Sequence, residues 1–105
     1  MTVRVFDTRS RKKRELVTLE EGKVGLYACG ITPYSSSHIG HARQAISFDI
    51  IVRWLRKRGF EVNYITNFTD VDDKIIAVAN EVGVDFLEIS NRYFDDYFEC
   101  MDALN

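Results

Sequence analysis

Two histidines stand three positions apart at the start of a predicted helix. His38 and His41 enclose Ile39 and Gly40, so both imidazoles fall on one side of the first helical turn. Free backbone N–H groups and the positive end of the helix dipole favour a phosphate at such a place. Gly40 has no side chain, which lets a flat ring or a phosphate approach the backbone closely. The pair could bind phosphate, cap the helix, or provide two ligands to a metal ion.

The chemistry that suits such a pair is nucleotidyl transfer. A carboxylate that attacks the α-phosphate of ATP places extra negative charge on phosphate oxygens and requires little acid–base work. Donors held in position lower that barrier, and imidazole N–H groups can be such donors. Residues 29–41 and 66–70 follow two predicted strands, and ligands of open α/β sheets bind beyond the carboxyl ends of the strands. We therefore expect the two loops to line one site.

The elements that must position this pair form a strand–helix–strand unit. The segment Val24–Cys29 is almost continuously apolar, as expected for a strand buried on both faces of a parallel sheet. A helix is predicted over Ile39–Lys57, with Gly59 as its C-terminal cap, and a strand over Phe60–Asn67. The unit predicts an α/β fold of partial Rossmann type, a parallel sheet with flanking helices. Outside it we predict short strands over Val3–Phe6 and Leu16–Leu19 and helices over Val71–Val82 and Asp85–Leu104.

The predicted helices also have expected buried and exposed sides. Apolar and aromatic residues recur at helical spacing along Phe86–Leu104, which indicates packing against a core or an interface. The acidic segment Asp70–Asp73 is interpreted as a complement to a helix dipole rather than as a magnesium site. The inner side of the first helix is predicted to contain Ala42, Ala45, Ile46, Asp49, Ile50, Trp54 and Leu55, and its outer side Arg43, Gln44, Arg53 and Arg56.

The bulk composition is that of one small soluble domain. The chain has 105 residues, of which 46% are hydrophobic, and a net charge of -2, which gives no general attraction to nucleic acid. Two basic runs, Arg9–Arg14 and Arg53–Arg58, are interpreted as solvated surface. Two distant cysteines, Cys29 and Cys100, imply no disulfide framework and fit a reducing cytosol. With no signal-peptide pattern and no long apolar run, we expect a cytoplasmic protein without a membrane partner.

Three segments of the chain carry a family resemblance. His38-Ile39-Gly40-His41 resembles the HIGH signature of class I aminoacyl-tRNA synthetases. The segment Tyr27–Thr32 before it and the segment Asn67–Ile76 after it are similar, in content and spacing, to cysteinyl-tRNA synthetases of that class. The resemblance covers nearly the whole chain.

The resemblance implies an ATP-dependent enzyme that converts cysteine to cysteinyl adenylate and transfers it to tRNA(Cys). His38 and His41 match the catalytic signature of the family. Together with Thr32 and Gly40 they match positions on the ATP side of the site. ATP would enter with magnesium, and ATP, cysteine and tRNA(Cys) are the implied partners.

The resemblance assigns three other positions to the part of the site that binds the amino acid. Cys29 matches one ligand of a zinc ion, by which the family selects cysteine through direct binding of its thiolate. Such selection is physically sound because Zn²⁺ binds a soft thiolate well, whereas the hydroxyl of serine is a poor ligand. Gly30 and Thr69 match positions that line the amino-acid pocket. One thiolate is not a metal site, so we expect weak zinc binding by this chain.

The sequence also departs from the family pattern. Pro33 stands in place of an aliphatic residue, and Ser35–Ser37 in place of a run with an acidic residue. A proline at this position is also a similarity to a related ligase that joins cysteine to the amino sugar of mycothiol, whereas Asp72–Ile76 resembles the synthetase.

A KMSKS-type loop and further zinc ligands are absent, so we expect residues 1–105 to be the N-terminal half of a catalytic domain, without a second domain. The alternative is a non-catalytic nucleotide- or partner-binding module. Self-association, or complementation by the other half, would cover its open sheet edge.

Overall fold

The computed structural model describes residues 2–104. An antiparallel hairpin comes first, a strand–helix–strand unit follows, and two further helices pack beside it. Apart from the second strand, every element lies within two residues of its predicted bounds. The elements are β1 (Arg4–Asp7), β2 (Lys12–Glu15), β3 (Lys23–Ala28), α1 (Ile39–Lys57), β4 (Glu61–Thr66), α2 (Asp73–Val82) and α3 (Phe86–Ala103).

The central unit is the predicted parallel crossover. β3 and β4 pair in parallel, with Val24 opposite Val62 and Ala28 opposite Thr66, and α1 connects them. Gly59 lies just beyond the end of α1 with φ 91°, a left-handed conformation that glycine adopts without steric cost. The prediction of an α/β fold with a small parallel sheet is confirmed, and the arrangement is consistent with part of a Rossmann-like domain.

The first hydrophobic core lies between α1 and the parallel strands. Val24 and Val62 come from the sheet, Val52 and Leu55 from the last turns of α1, and all four are buried. Burying a side chain of this size contributes about 1.5–3 kcal/mol, so this cluster holds α1 on the sheet. The partly buried residues that pack against it are Val3, Leu16, Leu26 and Phe60.

The buried side of α1 differs from the predicted one. Val52 and Leu55 are buried, but Ile46, Ile50 and Trp54 are 45%, 60% and 52% exposed. The helix has apolar residues on more than one side, and two strands cover only a narrow stripe of it. Apolar periodicity therefore identified the helix but not the side that packs.

A second core joins α2 to α3. Ile75 and Ala79 of α2 pack with Ile89 of α3, and all three are buried. Next to them Ser90 is buried at 1% exposure, and its hydroxyl donates to the carbonyl of Leu87 at 3.2 Å. The predicted packing role of the last helix is thus confirmed for this part of its length.

Two strand predictions were wrong in part. β2 is Lys12–Glu15, not Leu16–Leu19, and its four residues are exposed, so hydrophobic alternation could not reveal it. β3 was expected to be buried on both faces. Val24 and Ala28 are buried, but Tyr27 is 63% exposed, because the described residues cover only one face of this two-stranded sheet.

The body formed by these elements is elongated. Its radius of gyration is 17.2 Å, compared with about 13 Å for a compact domain of this length. Its principal extents are 55 × 31 × 23 Å. Between residues 2 and 104, no helix is long and apolar enough to cross a membrane.

Candidate functional site

Histidine side chains cap the N-terminus of α1. His38 is the N-cap residue, with extended backbone angles, and its Nδ1 accepts a hydrogen bond from the backbone N–H of Gly40 at 3.1 Å. In return, the backbone N–H of His38 donates to Nδ1 of His41 at 3.1 Å. The capping alternative for this pair is therefore present in the structure. It satisfies donors that the helix itself leaves without a partner.

The capping bonds also determine which ring nitrogens remain available. Both bonds use Nδ1 as the acceptor, and a neutral imidazole has one acceptor and one donor nitrogen, so each neutral ring has its proton on Nε2. The rings of His38 and His41 stack, with centroids 3.9 Å apart and planes 19° apart. The two stacked rings at the helix N-terminus therefore each have an Nε2–H donor that the capping bonds do not use.

Gly40 makes room for the first of these rings. A Cβ at this position would lie 2.8 Å from Cε1 and 2.9 Å from Nδ1 of His38, closer than real Cβ contacts. The flat ring that the glycine admits is therefore that of His38 itself. No acidic residue occupies the first turn of α1, so no side chain of that turn neutralises the positive end of the helix dipole.

Helix α3 holds the segment in front of α1. Asp96 Oδ2 accepts a hydrogen bond from the backbone N–H of Ser37 at 2.7 Å, and the ring of Tyr97 meets that of His41 edge-on at 6.4 Å. Burial lowers the pKa of His41 below its usual 6.5, the nearby His38 lowers it further, and the charge of Asp96 opposes both effects. His41 is therefore largely neutral at neutral pH, which is the state that donates through Nε2 alone.

The side chain of Asn67 joins the loops that follow β3 and β4. Its Oδ1 accepts hydrogen bonds from the backbone N–H of Gly30 and from the hydroxyl of Tyr27, both at 2.8 Å. Beside it, the backbone N–H of Thr69 donates to the carbonyl of Ile31 at 3.0 Å. The two loops thus meet at the carboxyl ends of the strands, as expected from the parallel crossover.

Gly30 is required for this close approach. A Cβ built on it would lie 1.4 Å from the carbonyl oxygen of Asn67 and 2.6 Å from its carbonyl carbon. These are backbone atoms, which cannot rotate away as a side chain could. The role that the structure gives Gly30 is steric: it lets the two loops touch.

Cys29 follows β3 and has a free, exposed thiol. Its carbonyl accepts a hydrogen bond from Nε2 of Gln44 at 2.7 Å. Gln44 thus ties α1 to this loop, although it was predicted on the outer side of the helix. A thiolate suits zinc, but among residues 2–104 no group of three or more His, Cys, Asp or Glu could hold a metal ion. The described residues therefore do not complete a tetrahedral site.

A cavity of about 400 Å³ adjoins these strand ends and lies between α1, β4 and α3. Cys29 and Gly30 line it beside largely apolar and aromatic side chains, with Asp49 and Asp102 as its acidic members. Of the residues predicted for the amino-acid side, Cys29 and Gly30 therefore line the cavity, whereas none of those predicted for the ATP side does. The predicted site residues that do not line the cavity are Thr32, His38, Gly40, His41 and Thr69.

Comparison with known proteins gives the family. The sequence profile described as "tRNA synthetases class I (C) catalytic domain" matches residues 15–105. The chain belongs to the cysteinyl-tRNA synthetase family. The resemblance seen in the three sequence segments is thereby confirmed.

Relatives in this family match the chain over almost its whole length. It is 55% identical to the cysteine–tRNA ligase of Syntrophobacter fumaroxidans over 104 residues, which are 99% of this chain and 21% of that protein. It is 49% identical to the "Cysteine--tRNA ligase 2, cytoplasmic" of Arabidopsis thaliana, over 99% of this chain and 20% of that protein. The ligase of Bacillus pumilus is also 49% identical, over 99% and 22%. The chain therefore spans about a fifth of the length of these curated relatives.

Sequence reasoning missed three residues that organise the site. Asn67 was noted only as part of a family segment, although a polar residue directly after a parallel strand is itself a signal. Gln44 and Asp96 offered no signal, because polar and charged residues on helices usually face solvent. Pro33, which departs from the family pattern, is fully buried, so the loop keeps an apolar residue at that position.

The acidic segment Asp70–Asp73 lies at the start of α2, where a complement to the helix dipole was predicted and a capping residue is also found. Asp72 is the N-cap residue, and its Oδ1 accepts from the backbone N–H of Lys74 at 2.9 Å. Asp73 lies in the first turn, where it complements the helix dipole. The ammonium group of Lys74 lies 5.3 Å from the centre of the Tyr34 ring, so Lys74 also connects α2 to the loop before α1.

Proposed function

We propose that this chain is the N-terminal part of the catalytic domain of an enzyme that activates cysteine with ATP and transfers it to tRNA(Cys). The proposal includes a HIGH-type nucleotidyl-transferase fold and a cytoplasmic location. Membership of the family supports it. The observation that carries it is the stacked pair of His38 and His41 at the N-terminus of α1, whose capping bonds use Nδ1 and leave the Nε2–H groups for another acceptor.

In the activation step, the carboxylate of cysteine attacks the α-phosphorus of ATP. A new P–O bond forms, the bond to the bridging oxygen breaks, and pyrophosphate leaves with that electron pair, so no proton has to move. Charge that grows on the phosphate oxygens is stabilised by the Nε2–H groups of His38 and His41 and by the N-terminus of α1. Thr32 and Gly40 belong to the same side of the site. Magnesium accompanies ATP as part of the substrate.

We assign Cys29, Gly30 and Thr69 to the cysteine side. Gly30 keeps the loops after β3 and β4 in contact, and Cys29 lines the cavity next to it. In this proposal the thiolate of Cys29 is one ligand of zinc. Bound zinc would distinguish the thiol of cysteine from the hydroxyl of serine. The described residues alone do not complete this zinc site.

Titration of the 105-residue chain with ATP tests the nucleotide side. The chain has two histidines, so NMR signals of their imidazole C–H groups report directly on His38 and His41. We expect both signals to shift on addition of ATP. His38→Ala should weaken the interaction by about tenfold, because the Nε2–H donor to the phosphate is lost. Cys100→Ser, on the exposed part of α3, is the matched control. Unchanged histidine signals at millimolar ATP would contradict the assignment.

Cysteine-dependent exchange of pyrophosphate into ATP tests the chemistry. Since the chain aligns over 104 residues with the Syntrophobacter fumaroxidans ligase, it can replace the matched part of that protein. We expect the chimaera to catalyse exchange, and His41→Ala within it to lower the rate by about 100-fold. A chimaera that folds but does not support exchange with cysteine would count against the proposal. Exchange followed by transfer to an amino sugar instead of tRNA would indicate the mycothiol-type ligase.

A further inference from the structure

Positive charge is concentrated in the first part of the chain. Residues 1–66 contain twelve Lys or Arg and six Asp or Glu, whereas residues 67–105 contain two and ten. The net charge of -2 is therefore the sum of a basic and an acidic region. The total charge gives no general attraction to nucleic acid, but that argument does not apply to the basic region by itself.

The β1–β2 hairpin presents much of this charge. Every residue of the basic run Arg9–Arg14 is exposed. The base of the hairpin is closed by a hydrogen bond from the backbone N–H of Leu16 to the carbonyl of Val3 at 2.8 Å, and both residues pack on the first core. That core includes Val24 near the start of β3. The hairpin is therefore anchored beside the amino ends of the parallel strands, whereas the histidine pair lies beyond their carboxyl ends.

One face of the hairpin combines an aromatic ring with cations. Phe6 is opposite Lys13, and Arg4 is opposite Glu15. Residues directly opposite each other, and those two positions along a strand, share a face of the ribbon. Phe6 is 63% exposed and has Lys13 and Arg4 as neighbours on this face. An exposed ring beside cations is the arrangement on which a nucleic-acid base stacks while its phosphates are neutralised.

The turn of the hairpin holds a cation in an unfavourable backbone conformation. Arg11 has φ 53°, a region that residues other than glycine, asparagine and aspartate rarely adopt. The local acid is engaged in the turn: Asp7 accepts from the backbone N–H groups of Arg9 and Ser10. Hydrogen bonds from Ser10 lower the pKa of Asp7, which keeps it ionised as the acceptor of these bonds. The turn thus presents Arg11 although a glycine would adopt its backbone conformation more easily.

We propose that the β1–β2 hairpin binds an unpaired segment of RNA, with a base stacked on Phe6 and phosphates contacted by Arg4, Arg11 and Lys13. The choice of RNA rests on the proposed function, in which tRNA is a substrate, but the binding itself needs neither ATP nor cysteine. A lipid surface fits less well, because insertion needs a continuous apolar face. On this face Phe6 is surrounded by Arg4, Lys13 and Glu15.

Fluorescence anisotropy of a labelled oligouridine of about 12 nucleotides with the 105-residue chain tests the proposal. We expect binding at about 50 mM salt that weakens steeply towards about 200 mM, with a logarithmic slope of about -2 for three phosphate contacts. Lys13→Gln should weaken binding about threefold or more and reduce the slope by about 0.7. Arg92→Gln on α3 removes the same charge elsewhere and should leave binding unchanged. Phe6→Leu should weaken binding by at least about fivefold, because base stacking is lost.

Arg11→Gly separates binding from folding. It should weaken RNA binding, while the Tm stays the same or rises because the left-handed strain is relieved. Equal losses for Lys13→Gln and Arg92→Gln would overturn the proposal, since they would indicate non-specific attraction. Binding to vesicles that contain phosphatidylserine, without binding to RNA, would also overturn it. Neither result would affect the exchange reaction of the chimaera, so this proposal and the proposed function can fail separately.

Discussion

Replacing Gly30 with alanine should destabilise the fold much more than the same change at Gly25. At Gly30 the new Cβ would lie 1.4 Å from the carbonyl oxygen of Asn67, whereas at Gly25 nothing lies within 4 Å. Both glycines belong to β3 or to the loop directly after it. The pair therefore compares one chemical change with and without a steric conflict.

The size of the effect follows from the movement that the methyl group requires. Ordinary contact begins near 3.4 Å, so the loops after β3 and β4 would have to separate by about 2 Å. Overpacking of this kind costs about 1–3 kcal/mol. Losing the hydrogen bonds that Asn67 accepts from Gly30 and Tyr27 adds about 0.5–1.5 kcal/mol each. The total of about 2–6 kcal/mol is comparable to the whole stability of a small domain, about 5–15 kcal/mol.

Urea denaturation followed by circular dichroism measures this difference. The unfolding midpoint of Gly30→Ala should fall sharply, or the variant should be unfolded without urea. Gly25→Ala should be neutral or slightly stabilising, because alanine loses less backbone entropy than glycine in a strand. The reasoning about loop contact is refuted if the two variants have the same midpoint and the same dependence on urea.

Three further predictions follow from the site. Gly40→Ala should displace the ring of His38, which would lie 2.8 Å from the new Cβ, and weaken ATP binding about tenfold; the Tm should stay within a few degrees, since alanine favours the helix. The pKa of His41 should be below 6.5, and Asp96→Asn, which keeps an acceptor for Ser37 but removes the charge, should lower it further in an NMR titration. Because the pKa of His41 is lower in the folded chain than in the unfolded chain, the unfolded chain binds more protons in this pH range. The free energy of unfolding should therefore fall as the pH drops through 6.5 towards the folded pKa. A free energy of unfolding that rises in that window would contradict the assignment. Zinc should bind this chain weakly, because Cys29 alone is not a site; one zinc per chain retained after dialysis, and lost in Cys29→Ser, would contradict this.

Much of the central unit could be predicted because its signals are local. The bounds of α1 follow from a capping residue at one end and a glycine just beyond the other. The parallel pairing of β3 and β4 follows from the length of the connection between them. The strand β2 escaped prediction for the opposite reason. Its residues are charged and exposed, so only its pairing with β1 reveals it.

Local signals in the sequence were enough to predict the order of the central elements, the position of the histidine pair at a helix start, and the family. These depend on capping, turn glycines, apolar periodicity and motif spacing, which are all readable along the chain. That Gln44, Asn67 and Asp96 hold the site together is visible only in the packed fold. Their hydrogen bonds reach Cys29, Gly30 and Ser37 across 15, 37 and 59 positions of sequence. Contacts over such separations form only when the packing of the helices on the strands brings those residues together.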